Sequence, residues 1–283
     1  MGIQFFPVSG ARTLSNRPSV RARKSANLSA CRCNESKRIT ELYIIRQHLR
    51  CQTIPCQHVA EVQTGVTTHP DLGNVPFRSE MMSDSPDEQV AFTIQRMREY
   101  ALLSASTPEL QEDLAEAMHL GSGNVLVGVH RFVRDNLRFA EDESTVQSLS
   151  GYIPDRESTV ESLIAPLDLS AAIRSGLWPS EDCDGFSMYV AALLEAAGIR
   201  CSFVTVAADH EDVARYSHVY VAAYPQKNVR VAIDASHGHH IGWEVPNRYG
   251  KIREWPLRSQ NNNWALIVLA AVIGGAVWLG SRN

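Results

Sequence analysis

The run FSMYVAALLEAAGI, residues 186–199, constrains the fold more than any other part of the chain. It reads as a strongly apolar helix stopped at Gly198, so the rest of the domain must supply walls to bury it. Three β-rich runs follow it directly: RCSFVTVAA (200–208), YSHVYVAAY (216–224) and VRVAIDAS (229–236). PQKN (225–228) joins the last two as a hairpin loop. Helices precede the apolar one. SDSPDEQV opens the first, with Ser85 as cap, Pro86 at the first helical position and Glu88 completing a capping box. A second begins at Thr107-Pro108-Glu109, and a third, NVLVGVHRFVRDNLRF, carries Val125, Val129, Phe132 and Val133 on one side. Helices first, then an antiparallel sheet packed on the helix after them, is an α+β architecture.

Charge divides the chain unevenly. Residues 1–75 hold ten Lys/Arg against four Asp/Glu, while the other 208 residues are acidic, giving a formal net charge of −4 over 283 residues. An acidic domain excludes a nucleic-acid surface. Residues 1–80 read as a basic leader, disordered or not part of the natural protein, with Met81-Met82 just before the first convincing helix. The ordered domain is expected over 85–258. Residues 264–280, WALIVLAAVIGGAVWLG, are uncharged and flanked by Trp264 and Trp278, the pattern of a single-pass transmembrane helix. Lys251, Arg253 and Arg258 lie before it, which would place the folded domain on the cytoplasmic side of a membrane.

Chemistry concentrates where the apolar helix begins, at EDCDGF (181–186). A thiol becomes a nucleophile when its anion is stabilised and a base is within reach. Cys183 stands where unpaired N–H groups and the helix dipole favour the anion, while Asp182 and Asp184 oppose it. The hairpin sets His218 opposite Asp234 on the neighbouring strand, so the carboxylate can fix the imidazole tautomer and stabilise the imidazolium. Cys201 starts a strand without such partners and reads as a core residue. The loop Asp234, His237, His239, His240 and the leader cysteines CRC…HLRCQTIPCQH each contain metal-binding residue types, but no well-spaced motif completes either set.

These stretches carry a resemblance. EDCDGFSMYVAALLEAAGIRCSFVTV, YSHVYVAAY, ESLIAPLDL and IDASHGHHIGWEVPNRYG resemble the transglutaminase-like superfamily, and within it look most like members encoded by phages and prophages. The resemblance covers about residues 85–258. It implies a papain-like fold and a triad with Cys183 as nucleophile, His218 as base and acid, and Asp234 as orienter. Trp178 would lie near the acyl pocket, as an aromatic upstream of the cysteine does in some members. The chain departs from the family at Glu181, where Gly is usual, and at Ala235, where Pro is common.

The resulting expectation is a membrane-tethered cysteine acyltransferase or amide hydrolase. It would act on a protein or peptide amide through a thioester, with no cofactor, no metal and no nucleic-acid partner. The competing expectation is a non-catalytic structural module of phage type that keeps the fold. A zinc-dependent hydrolase built on the His cluster is a third. The oligomeric state stays open.

Overall fold

The computed structural model describes residues 42–46, 62–81, 85–142, 160–210, 212–246 and 250–258. Helices α1 (Pro86–Ala105), α2 (Pro108–Leu120) and α3 (Val125–Asn136) come first, followed by α4 (Pro166–Arg174) and α5 (Cys183–Ala196). Pro starts α1, α2 and α4, where its missing N–H costs no helical bond. Thr107 and Asn124 cap α2 and α3 through their side chains, whereas Ser85 makes no side-chain capping bond. Gly198 ends the turn after α5 with φ 69°, a conformation that favours glycine.

The apolar run behaves as its composition requires. Residues Met188 to Leu194 of α5 are all 1% exposed or less. The helix is walled by α1, α2 and α3 and by the strands β7 (Arg200–Val206) and β8 (His218–Gln226). Each fully buried large aliphatic side chain stabilises the fold by about 1.5–3 kcal/mol. Leu193→Ala would cost about 2–5 kcal/mol, because every side of the cavity it leaves is already packed.

Strands β7 and β8 belong to an antiparallel sheet of order β10-β7-β8-β9, with β9 at Val229–Ile233 and β10 at Ile252–Pro256. The hairpin turn is tighter than PQKN suggests. Strand pairing runs to Gln226↔Val229, leaving Lys227 and Asn228 as the turn, with Asn228 at φ 65°. An irregularity between Ala223 and Gln226 shifts the register, so that Val221 faces Ile233 and Ala222 faces Ala232. By continuation Asp234 falls opposite Tyr220, one diagonal step from His218. A two-residue step keeps both side chains on one face, so the expected proximity survives the wrong register.

The leader expectation is corrected for its described part. Strands β2 (Val62–His69) and β3 (Gly73–Met81) form a hairpin, and β1 (Leu42–Arg46) joins them in a mixed sheet of order β2-β3-β1-β5, with β5 at Val160–Leu163. Val75 enters the main hydrophobic core, and Arg96 on α1 reaches Glu80 on β3 at 3.2 Å. The ordered domain therefore begins well before residue 85. Residues 1–41 and 47–61 lie outside the described residues. Two further short strands, β4 (Arg138–Phe139) and β6 (Ser180–Glu181), pair in parallel just before α5.

The expected transmembrane helix and the membrane location built on it are also corrected. Among the described residues no helix is long and apolar enough to cross a membrane. The most apolar, α5, has 14 residues and spans about 21 Å, short of a hydrocarbon core of about 30 Å, and it is the centre of the core. Segment 264–280 lies outside the described residues, so the fold class reduces to α+β.

Candidate active site

Cys183 is the first residue of α5, and His218 is the first residue of β8. Both line one cavity of about 230 Å³. The two elements are pinned where they meet. Ser187, one turn along α5, donates its hydroxyl to the Val219 carbonyl at 3.1 Å, and the Val219 N–H is directed at the Cys183 sulfur closely enough to favour its anion. Alternation along β8 sends Val219, Val221 and Ala223 into the core with α5, while Tyr220 and Ala222 pack on the opposite face. His218 shares the Tyr220 side, with ring centroids 6.2 Å apart. It lies at the rim with Cys183 because it begins the strand.

His218 Nε2 and Asp234 Oδ2 are 2.8 Å apart, and both side chains are buried. Asp234 Oδ1 accepts the Ser236 N–H at 3.1 Å, the Ser236 hydroxyl at 2.8 Å and the His237 N–H at 2.9 Å. Burial pushes this carboxyl up, but the bond and charge of His218 and the loop donors outweigh it and hold the pKa down to about 2. The carboxylate leaves Nδ1 as the ring nitrogen not engaged by Asp234.

Helix α3 fixes the loop that carries Asp234. The Gly238 carbonyl accepts from His130 Nε2 at 3.0 Å and also from Arg134 Nη1. A carbonyl only accepts, so His130 presents a protonated Nε2 there. Burial lowers the His130 pKa, which keeps the ring neutral. Gly238 N–H in turn bonds the Asp234 carbonyl at 3.0 Å, and a Cβ at 238 would stand 2.5 Å from that oxygen. Nothing but glycine fits without moving Asp234.

The thiol sits among carboxylates. Burial raises its pKa well above the usual range, Asp182 and Asp184 add to the rise, and the Val219 N–H opposes it. Cys183 is therefore a neutral thiol at pH 7, and its sulfur lies 3.7 Å from Asp184 Oδ1. The helix-terminal stabilisation expected from sequence is outweighed, since Asp182 caps α5 by accepting the Asp184 N–H at 2.8 Å. Asp184 itself is raised well above the carboxylate range by burial and Asp182, and it hydrogen-bonds Glu161. Asp142 is raised too, by burial and Asp182, although the Ser162 N–H donates to it. Glu181 is buried and pushed up by desolvation, and it folds against α5 where only Gly185 leaves room.

Trp178 is corrected. It is 56% exposed, its ring stacks under the Arg138 guanidinium at 5.7 Å, and it does not line the cavity. The open cation–aromatic contact holds the indole outward. The apolar wall comes instead from Val90, Ile94 and Met97 of α1, with Tyr216 and Val219. Cys201 is buried as expected, its pKa pushed up to about 12 by burial first and by Glu195. Of the loop histidines, His237 stacks edge-on against His218 at 4.9 Å, His239 meets Arg134, and His240 bonds its neighbour's carbonyl.

Sequence reasoning missed Glu161, Asp142, His130, Arg134 and Asp71. Asp71, in the β2–β3 turn, accepts the Ser180 N–H at 2.9 Å and pairs with Arg138 at 2.9 Å. A thiol and an imidazole thus line one cavity, and a buried carboxylate outside that lining holds the imidazole. Compared with known proteins, the chain matches no family model and no curated protein sequence.

Proposed function

We propose that the protein is a cysteine enzyme of transglutaminase-like type that attacks a protein or peptide amide and forms a thioester. The observation that carries this reading is the buried 2.8 Å contact between His218 Nε2 and Asp234 Oδ2, with His218 and Cys183 lining one cavity. In this mechanism His218 Nδ1 takes the thiol proton as sulfur attacks the carbonyl carbon. Asp234 stabilises the imidazolium, which then protonates the leaving amine. The backbone N–H of Cys183, not used by the Asp182 cap, would face the developing oxyanion. Water or a second amine attacks the thioester, His218 removes its proton, and the thiol is restored.

A neutral resting thiol fits this sequence of steps, because His218 takes the thiol proton as the sulfur attacks. The carboxylates beside Cys183 favour a second reading, a non-catalytic structural module that retains the fold, since they disfavour the thiolate. An electrophilic probe with mass-spectrometric site mapping separates the two. The enzyme reading expects Cys183 to be labelled faster than Cys201 and to lose that advantage on His218→Ala. Equal labelling of both thiols, unchanged by His218→Ala, would leave the structural module.

A further inference from the structure

We propose that His218, Asp234 and His237 form a zinc site whose occupancy switches the thiol site off. The regulatory half of this inference rests on the roles given above to Cys183 and His218; the metal site itself does not. One ligand atom from each of the three residues lies within 4.8 Å of the other two. Asp234 Oδ1 is occupied by the Ser236 and His237 donors, which leaves Oδ2, the atom facing His218 Nε2. His237 Nδ1 lies 3.0 Å from the Ser236 hydroxyl, which orients the ring and leaves Nε2 for a ligand. Two imidazoles and one carboxylate suit zinc, with a water completing the set.

Binding would draw the three donors to a common spacing. Zinc–nitrogen and zinc–oxygen bonds of about 2.0–2.2 Å place tetrahedral donors roughly 3.3 Å apart. The His218–Asp234 contact of 2.8 Å would open by about half an ångström to meet that spacing. His218 and Asp234 are buried, whereas His237 is exposed and gives the ion its entry from solvent. The rigid loop from Asp234 to Gly238, tied to α3, holds the carboxylate and the second imidazole in one frame.

Occupancy would remove the base without touching the sulfur. Zinc on Nε2 displaces the proton shared with Asp234, and a neutral ring bound through Nε2 carries its one proton on Nδ1. That nitrogen then donates and cannot accept the thiol proton. No electron is transferred, and the proton displaced from Nε2 is the one the ring then carries on Nδ1, so none is released.

The test uses the full chain with Cys31, Cys33, Cys51 and Cys56 changed to Ser, so that leader thiols do not compete for metal. Zinc is titrated calorimetrically, and Cys183 alkylation is followed with and without it. The expected result is one zinc per chain and alkylation slowed at least tenfold at saturation. His237→Ala should weaken both effects by about 10- to 100-fold, and His239→Ala should change neither. Absence of zinc binding, or equal binding by His237→Ala, would overturn the site and assign any bound metal to the carboxylates around Cys183. Zinc-free alkylation that ignores His218→Ala would sink the enzyme reading instead. Zinc binding dependent on His237 would then keep the metal site and remove its regulatory meaning.

Discussion

Asp71, in a hairpin turn more than a hundred residues upstream, holds the backbone N–H of Ser180 just before Cys183. The same carboxylate pairs with Arg138, whose strand β4 lies beside β6. The hairpin thus fixes the approach to α5 from outside the helical core. Asp71→Ala should destabilise the domain by about 1.5–3 kcal/mol, the worth of hydrogen bonds to a charged group. For a domain of this size that is a fall of roughly 3–12 °C in melting temperature, read by circular dichroism. No change in Tm would show that the hairpin is only loosely docked.

The carboxylate beside the sulfur sets the reactivity of the thiol. Asp184→Asn removes a carboxyl that opposes the Cys183 thiolate once ionised, so alkylation should accelerate at the alkaline end of the pH range, where Asp184 carries its charge. The gain should be at least about fivefold, the equivalent of ~1 kcal/mol between unit charges 4 Å apart in water. Rates measured from pH 6 to 10 should show the variant's profile displaced to lower pH, with Cys201 unaffected. An unmoved profile would mean that Asp184 is already protonated throughout.

Stability should depend on pH in two opposing ways. Asp234 is held down to about 2, below its ordinary carboxyl value, so its contribution is present above about pH 4 and lost as pH falls toward 2. The shift corresponds to roughly 2 kcal/mol. Asp142 and Asp184 are raised, so the stability they lend is full below the ordinary carboxylate range and is lost as pH rises through their folded values. Urea denaturation across pH 2–8 should therefore show a mildly acidic optimum. Asp142→Asn should flatten the decline on the neutral side, and Asp234→Asn should flatten the acid limb.

Positioning by α3 is separable from chemistry. His130→Ala should loosen the Gly238 anchor and slow the His218-dependent labelling of Cys183 by about 10- to 100-fold, as small displacements near reacting groups do. His130→Gln, which keeps a donor, should recover part of the rate. Gly238→Ala should mimic the loss by pushing the Asp234 backbone. Rescue that fails while the fold is intact would argue for a role of the imidazole beyond holding the loop.

Local pattern makes the His218–Asp234 proximity and the place of Cys183 at the start of α5 legible in the sequence. The apolar run ending at Gly198, the β-rich runs after it and the hairpin between them are signals of short range. Two errors were also local. The turn was placed on PQKN, whereas Lys227-Asn228 and the irregularity at 223–226 set the register. The β2–β3 hairpin hid in a basic leader, though Asp71-Leu72-Gly73 between the alternating buried residues Thr67, His69 and Val75 was a usable sign. Asp142, Glu161, His130 and Arg134 had no such sign. They reach the site through contacts that no period or spacing encodes, and the parity of a two-residue slip was what saved the His218–Asp234 pairing.

The ties described at Gly238 and Ser180 also govern when the site comes into being. His130 meets a partner 108 positions later in the chain, and Asp71 one 109 positions later. Such long loops must close before the Asp234 loop and the approach to Cys183 are fixed, which favours slow, late assembly. During synthesis the ribosome releases α5 and its thiol before the residues that orient His218 have been made. A nascent chain ending before residue 234 would carry Cys183 without the carboxylate that holds His218, and one ending before 238 would lack the Gly238 anchor of that loop. On the proposed reading, the reactivity of Cys183 would then follow the closure of these long-range contacts rather than the formation of α5 alone.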